Sequence, residues 1–162
     1  MSTGAAAEER VVVSTFVALR PSAAFDVFTR EIHLWWRPNP LFEFTRRQDA
    51  TLAFEPGAGG RFVETAADGS VFEIGRITCW EPGRRLGFTW RQADFEPGQS
   101  TEVEVRFDAV GDETRVTVVH HGWDSVPQAS VVRHGMADAL FLQRHGQWWQ
   151  ALLAGLRRRI AG

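Results

Sequence analysis

The polar chemistry open to this sequence is narrow. Its 162 residues include 5 histidines and a single cysteine; all 18 of its Lys+Arg side chains are arginine, and tyrosine is absent. Without lysine there is no internal amine for Schiff-base chemistry, and without tyrosine no phenolic acid or oxyanion donor. Histidine is left as the natural proton-transfer group. Along Thr114 to His121, the residues Val116, Val118 and His120 alternate onto one face. His120 therefore projects inward at the end of a strand, where it can hydrogen-bond a ligand or act as a general base. The competing reading is a structural histidine, bonded to a neighbouring backbone group or to the last helix. His121 faces the other way, so the two cannot hold one metal from a regular strand. His134 and His145 share a face of the last helix but lie about 16 Å apart along it, too far for a common metal. Cys79 has no second cysteine and no ligand spacing around it. Neither a metal site nor a cofactor is expected.

Other candidate groups are weaker. Gly57, Gly59 and Gly60 lack the Lys-Ser/Thr and the helix of a nucleotide cradle and read as a tight turn. No serine sits in a nucleophile elbow. Arg61, Arg76 and Glu64 can supply charge to an interior site, an inward arginine gripping a carboxylate or enolate bidentately; surface ion pairing is the alternative. The triplet Arg157-Arg158-Arg159 spreads around a helix and complements its C-terminal dipole.

The aromatic residues carry more. There are 7 tryptophans and 12 phenylalanines. Trp35, Trp36, Phe62, Phe72, Phe88 and Trp90, with Trp149 from the last helix, are the candidates for lining an apolar cavity. Ordinary core packing is the reading against it. Adjacent residues cannot both face one direction, so one of Trp35 and Trp36 is expected at a cavity mouth, able to stack on a flat ligand.

The elements that must position these residues follow from pattern and punctuation. Val11 to Leu19 reads as a strand that stops at Arg20-Pro21-Ser22, where a helix starts. Phe25, Phe28 and Ile32 give that helix an apolar face through about Glu31, and a second short turn holds Trp35-Trp36. Thr51 to Glu55, Arg61 to Thr65, Val71 to Trp80 and Leu86 to Trp90 are short strands, separated by Gly-rich and Pro-Gly turns and by the hairpin signal Asp68-Gly69. Val103, Val105 and Phe107 alternate with Glu102, Glu104 and Arg106, and Gly111-Asp112 turns the chain into Thr114 to His121. From about Gln128 the rest is one long helix, with Trp149, Leu153, Leu156 and Ile160 as its buried stripe. An antiparallel meander with one apolar face needs a cover, and that helix is the large element available. A curved sheet wrapped on it leaves a space wherever facing side chains do not fill it.

Composition sets the outer bounds. The chain is 44% hydrophobic and 23% charged with a net charge of -2, which suits one packed domain and gives no basic excess for nucleic acid. No apolar run is long enough to span a membrane, and the start carries no signal-peptide stretch. A lone cysteine fits a reducing compartment. The expectation is a cytoplasmic protein with a flexible N-terminus over residues 1–10 and one domain over 11–162.

This order of elements, with Trp35-Trp36 after the first helix, Gly59-Gly60-Arg61-Phe62, the stretch Glu81 to Trp90, Thr114 to Trp123 and the segment Gly146 to Leu156, resembles the START-like helix-grip (SRPBCC) superfamily. Within it, the sequence is similar to bacterial single-domain relatives of the activator of the 90-kDa heat-shock protein ATPase. The resemblance covers about Val11 to Leu156. It implies an α+β fold of six to seven antiparallel strands wrapped around a long C-terminal helix, with a deep apolar cavity. Relatives of this kind include lipid and hormone carriers, polyketide cyclases, ring-hydroxylase subunits and co-chaperones, so the fold alone does not choose. Eukaryotic activators carry a separate N-terminal chaperone-binding domain, whereas about ten residues precede the first strand here. The function expected is binding of a small apolar or aromatic molecule without catalysis. A cyclase-type enzyme using His120, Arg76 and Glu64 is one alternative, and a protein-interaction module is another. An exposed sheet edge would suit a homodimer.

Overall fold

A computed structural model describes residues 10–36, 44–45, 50–91, 95, 99–123 and 138–162. Seven strands, β1 (Arg10–Val17), β2 (Thr51–Phe54), β3 (Arg61–Thr65), β4 (Val71–Glu81), β5 (Arg85–Trp90), β6 (Thr101–Val110) and β7 (Glu113–His121), form one antiparallel sheet in the order β1-β7-β6-β5-β4-β3-β2. Helices α1 (Pro21–Arg30) and α2 (Ile32–Trp35) follow β1, and α3 (Asp138–Ala161) closes the chain. The expected start of the last helix near Gln128, His134, and residues 1–9 lie outside the described residues.

Alternation builds the inner face. On β6, Thr101, Val103, Val105 and Phe107 are buried, and on β7, Thr114, Val116, Val118 and His120. The register sets Val103 against His120, Val105 against Val118 and Phe107 against Val116, so the two apolar rows meet as cross-strand pairs. Regularity breaks in the other half of the sheet. Pairing shifts between Phe62 and Val63 on β3 and between Ile77 and Cys79 on β4. Such bulges bend a strand and increase its twist, and here they help the sheet curl. Gly75 allows the close approach this curl needs: a Cβ there would lie 1.8 Å from the carbonyl oxygen of Thr89.

The helices cover the concave side. Pro21 sits at the start of α1, where its fixed φ suits a helix and its missing N–H costs nothing. Ala24, Phe25, Phe28 and Thr29 face inward, and the Thr29 hydroxyl returns a hydrogen bond to the carbonyl of Phe25 at 2.8 Å. The indole N–H of Trp35 reaches the carbonyl of Phe28 at 3.2 Å and so ties α2 to α1. At 24 residues, α3 is about 36 Å long. Phe141, His145, Trp148, Trp149, Leu152, Leu153 and Leu156 are its buried side chains, and Ile160 is half-buried. No helix among the described residues is long and apolar enough to cross a membrane.

Candidate functional site

The inner ends of β5, β6 and β7 and the first half of α3 bring two histidines together. His120 and His145 are both fully buried, with ring centroids 4.8 Å apart. The indole N–H of Trp149 donates to His120 Nδ1 at 3.2 Å. An indole nitrogen can only donate, so that Nδ1 carries a lone pair and His120 holds its proton on Nε2. His145 Nε2, 2.9 Å from the same Nδ1, is then a donor as well. His120 Nε2 lies 2.7 Å from Thr101 Oγ1, and the Thr101 hydroxyl donates to the carbonyl of Trp90 at 3.4 Å. Protons therefore run one way along a line from His145 through His120 and Thr101 to the backbone of β5. Burial keeps both imidazoles neutral. His145 is pushed down to about 3 by desolvation, and His120 is pushed well below its ordinary value by desolvation first, then by His145 and His121.

Aromatic rings enclose this line. Trp90, Trp123 and Trp149 surround His120, at centroid distances of 4.9, 5.0 and 6.1 Å. Phe141 stacks on His145 at 5.8 Å, and Trp148 lies 5.1 Å away. Trp36 extends the shell: its half-buried ring meets Phe44, Phe62, Trp90, Trp148 and Trp149, all between 5.5 and 6.3 Å. All five of those partners are buried.

Of the residues singled out from sequence, Trp36, Phe62, Trp90, His120 and Trp149 come together here. Phe88 joins through Phe62 at 5.2 Å. Trp35 is buried between α1 and Trp36, 4.9 Å from Phe28, so Trp36 is the member of the adjacent pair that reaches solvent. Phe72 stands at the periphery, half-buried, with the Arg91 guanidinium 5.5 Å above its ring. The charged candidates do not converge on His120. Arg61 grips Glu55 through three guanidinium contacts between 2.7 and 3.1 Å, and exposed Arg76 pairs with Glu73 at 3.0 Å. Glu64 accepts a hydrogen bond from the Thr45 hydroxyl. His121 is exposed, as alternation requires. No group of three or more metal-ligating side chains occurs among the described residues. An open surface hollow of about 320 Å³, lined by Arg84, Arg85, Arg106, Phe107 and Asp108, shares none of the cluster's residues. Its arginines are paired, Arg85 and Arg106 with Glu104 at 3.2 and 3.3 Å and Arg84 with Glu81 at 3.7 Å.

Sequence reasoning did not find His145, Thr101, Trp148 or Trp123. The signal for His145 was available: it lies four residues before Trp149 and therefore on the same buried stripe. Thr101 likewise shares the inward face of Val103 and Val105.

A curled antiparallel sheet gripping a long C-terminal helix, with two short helices after the first strand, defines the helix-grip class of α+β proteins. The sequence profile described as Activator of Hsp90 ATPase homolog 1-like protein matches residues 18–159, and the chain belongs to that family. No functionally curated protein matches it in sequence. Among solved structures, it is similar to the anthrahydroquino-γ-pyrone synthase Txn09, with 29% identity, coverage of 92% of this chain and 95% of that one, and a TM-score of 0.57. An HSP90 activator from Plasmodium falciparum shares the fold at 17% identity, covering 94% of this chain and 96% of that one, with a TM-score of 0.64. So does the Aha1 dimer from Colwellia psychrerythraea, at 14% identity, 93% and 95% coverage, and a TM-score of 0.61.

Proposed function

We propose that this protein binds a small, flat, apolar or aromatic molecule between the concave face of its sheet and α3. The observation that carries this reading is the position of Trp36. It is half-buried and packs on Phe44, Phe62, Trp90, Trp148 and Trp149, so the aromatic interior is continuous with the surface through one ring. Ligand sites are commonly apolar and aromatic with few polar groups, and this interior has that composition. The 29% identity to a synthase named for a fused aromatic product supports the same class of ligand. Native mass spectrometry of freshly purified protein, with extraction of any bound molecule, tests it. A reproducible small-molecule mass is the expected result. A clean protein mass together with no saturable tryptophan quenching by aromatic probes would overturn it.

A catalytic reading is favoured by the one-way line from His145 to Thr101. A line of neutral imidazoles can relay a proton, each ring accepting at one nitrogen as it donates from the other. Deuterium exchange at the acidic carbon of an aryl 1,3-diketone, faster with protein than in buffer, is expected on this reading; equal rates count against it.

Two copies of the chain are proposed to pair through β1. It is an edge strand of the sheet, and its outer face leaves Val12 and Phe16 53% and 44% exposed. That a relative from Colwellia psychrerythraea is a dimer supports pairing as such, without bearing on the strand used. Light scattering should give a dimer for the natural chain and a monomer for Phe16→Lys; a natural monomer ends the proposal.

A further inference from the structure

The line from His145 through His120 to Thr101 leaves out one buried donor that lies against it. The indole nitrogen of Trp90 is fully buried and has no hydrogen-bond partner among the described residues. An indole N–H can only donate, and a donor left unmade inside a protein costs free energy that folding alone does not explain. The residue is firmly held. Trp90 ends β5, pairs with Thr101 on β6, and its carbonyl receives the Thr101 hydroxyl. Its backbone is thus part of the histidine line while its N–H stands outside it. A water satisfying that N–H would itself need two to four polar partners. The rings against Trp90 are instead Phe44 at 4.7 Å, Trp148 at 5.6 Å, Trp149 at 5.9 Å and Trp36 at 6.0 Å. The nearby His120 ring, at 4.9 Å, already spends both nitrogens on Thr101, His145 and Trp149.

The same surroundings constrain what acceptor can approach. No arginine among the described residues is buried, so a carboxylate or phosphate here would be desolvated without a counter-charge. An uncharged oxygen is not penalised in that way. The ring shell favours a flat body, and among the described residues Trp36 is the one ring in contact with Trp90 that reaches solvent.

Building on the small-molecule reading above, we propose that the ligand is a flat aromatic ketone or quinone and that the Trp90 indole N–H donates to its carbonyl oxygen. Trp90 is then the residue that distinguishes an aromatic carbonyl compound from a hydrocarbon of the same shape, and the histidine line holds the strand end that presents it.

Two probes with one carbon skeleton test this: 9,10-anthraquinone and anthracene, titrated against the wild-type chain and Trp90→Phe. The anthraquinone-to-anthracene affinity ratio is expected to fall about tenfold in Trp90→Phe, the worth of one neutral hydrogen bond to a buried donor. In protein labelled with ¹⁵N-tryptophan, anthraquinone should move the Trp90 indole signal downfield and anthracene should not. An unchanged ratio with an unmoved Trp90 signal would overturn the proposal and leave small-molecule binding standing. If neither probe binds the wild-type chain, both readings fall for this ligand class. Should Trp90→Phe not fold, the indole shift in the wild-type chain decides, with Trp90 assigned through its contacts with His120 and Phe44.

Discussion

Removing the His120 side chain would strand two donors at once, the Trp149 indole N–H and His145 Nε2, and would take one partner from the Thr101 hydroxyl. His120→Ala is therefore expected to destabilise the fold by about 3 kcal/mol, read from urea unfolding, because unmade buried bonds add to a lost ring. Thr101→Val preserves shape and deprives His120 Nε2 of its acceptor, so a smaller loss of about 1–2 kcal/mol is expected in the same assay. A loss for His120→Ala no larger than that for Thr101→Val would count against the histidine line as a structural unit. The inward direction of His120 was legible from alternation along β7. Its partner was not, because pairing His120 with His145 requires the height at which α3 crosses β7, and a 25-residue separation says nothing about that crossing.

At the scale of elements, the half of the sheet that obeys a period of two was readable and the half that breaks it was not. Between β6 and β7 every inward residue follows from alternation. On β3, the shift at Phe62 and Val63 leaves both side chains buried in succession, so counting by twos cannot assign the faces of Arg61 and Glu64. The glycine on β4 belongs to the same irregularity. Gly75→Ala would press a methyl group on the Thr89 carbonyl, and its expected cost is about 2–3 kcal/mol by thermal or urea unfolding. Gly111→Ala, with open space around its Cβ but a φ of +61°, is the comparison: its expected loss is smaller, about 1 kcal/mol, from backbone strain alone. The stripe of α3 from Trp149 to Leu156 was readable for the opposite reason, since an uninterrupted helix keeps its period.

For the molecule as a whole, the two neutral imidazoles make stability depend on pH. Both have folded-state values lowered below 6.5, so between pH 6.5 and about 3 the unfolded chain binds protons that the folded chain refuses. Stability is therefore full above pH 6.5 and falls as the solution is acidified. Between pH 6.5 and 5 the expected loss is about 1.5 kcal/mol per imidazole. No carboxylate is among the buried polar side chains described, and the Arg61 guanidinium holds Glu55 below its ordinary value, so these changes fall outside that window. Urea midpoints at pH 7, 6 and 5 measure the slope, and a flat profile would mean that the imidazoles are not sealed from solvent.

The tryptophan arrangement has an optical consequence. Trp35, Trp36, Trp90, Trp148 and Trp149 form a chain of rings with neighbours between 5.4 and 6.0 Å apart, and Trp123 reaches it through His145; Trp80 alone packs elsewhere, on Phe25. With no tyrosine in the sequence, absorption near 280 nm and the fluorescence it excites belong almost wholly to the indoles. At such spacings their transitions couple, so circular dichroism and emission report the mutual orientation of rings around the two histidines rather than an average over the chain. The unlabelled protein is its own spectroscopic probe, and a molecule that parts those rings would change its spectrum on arrival.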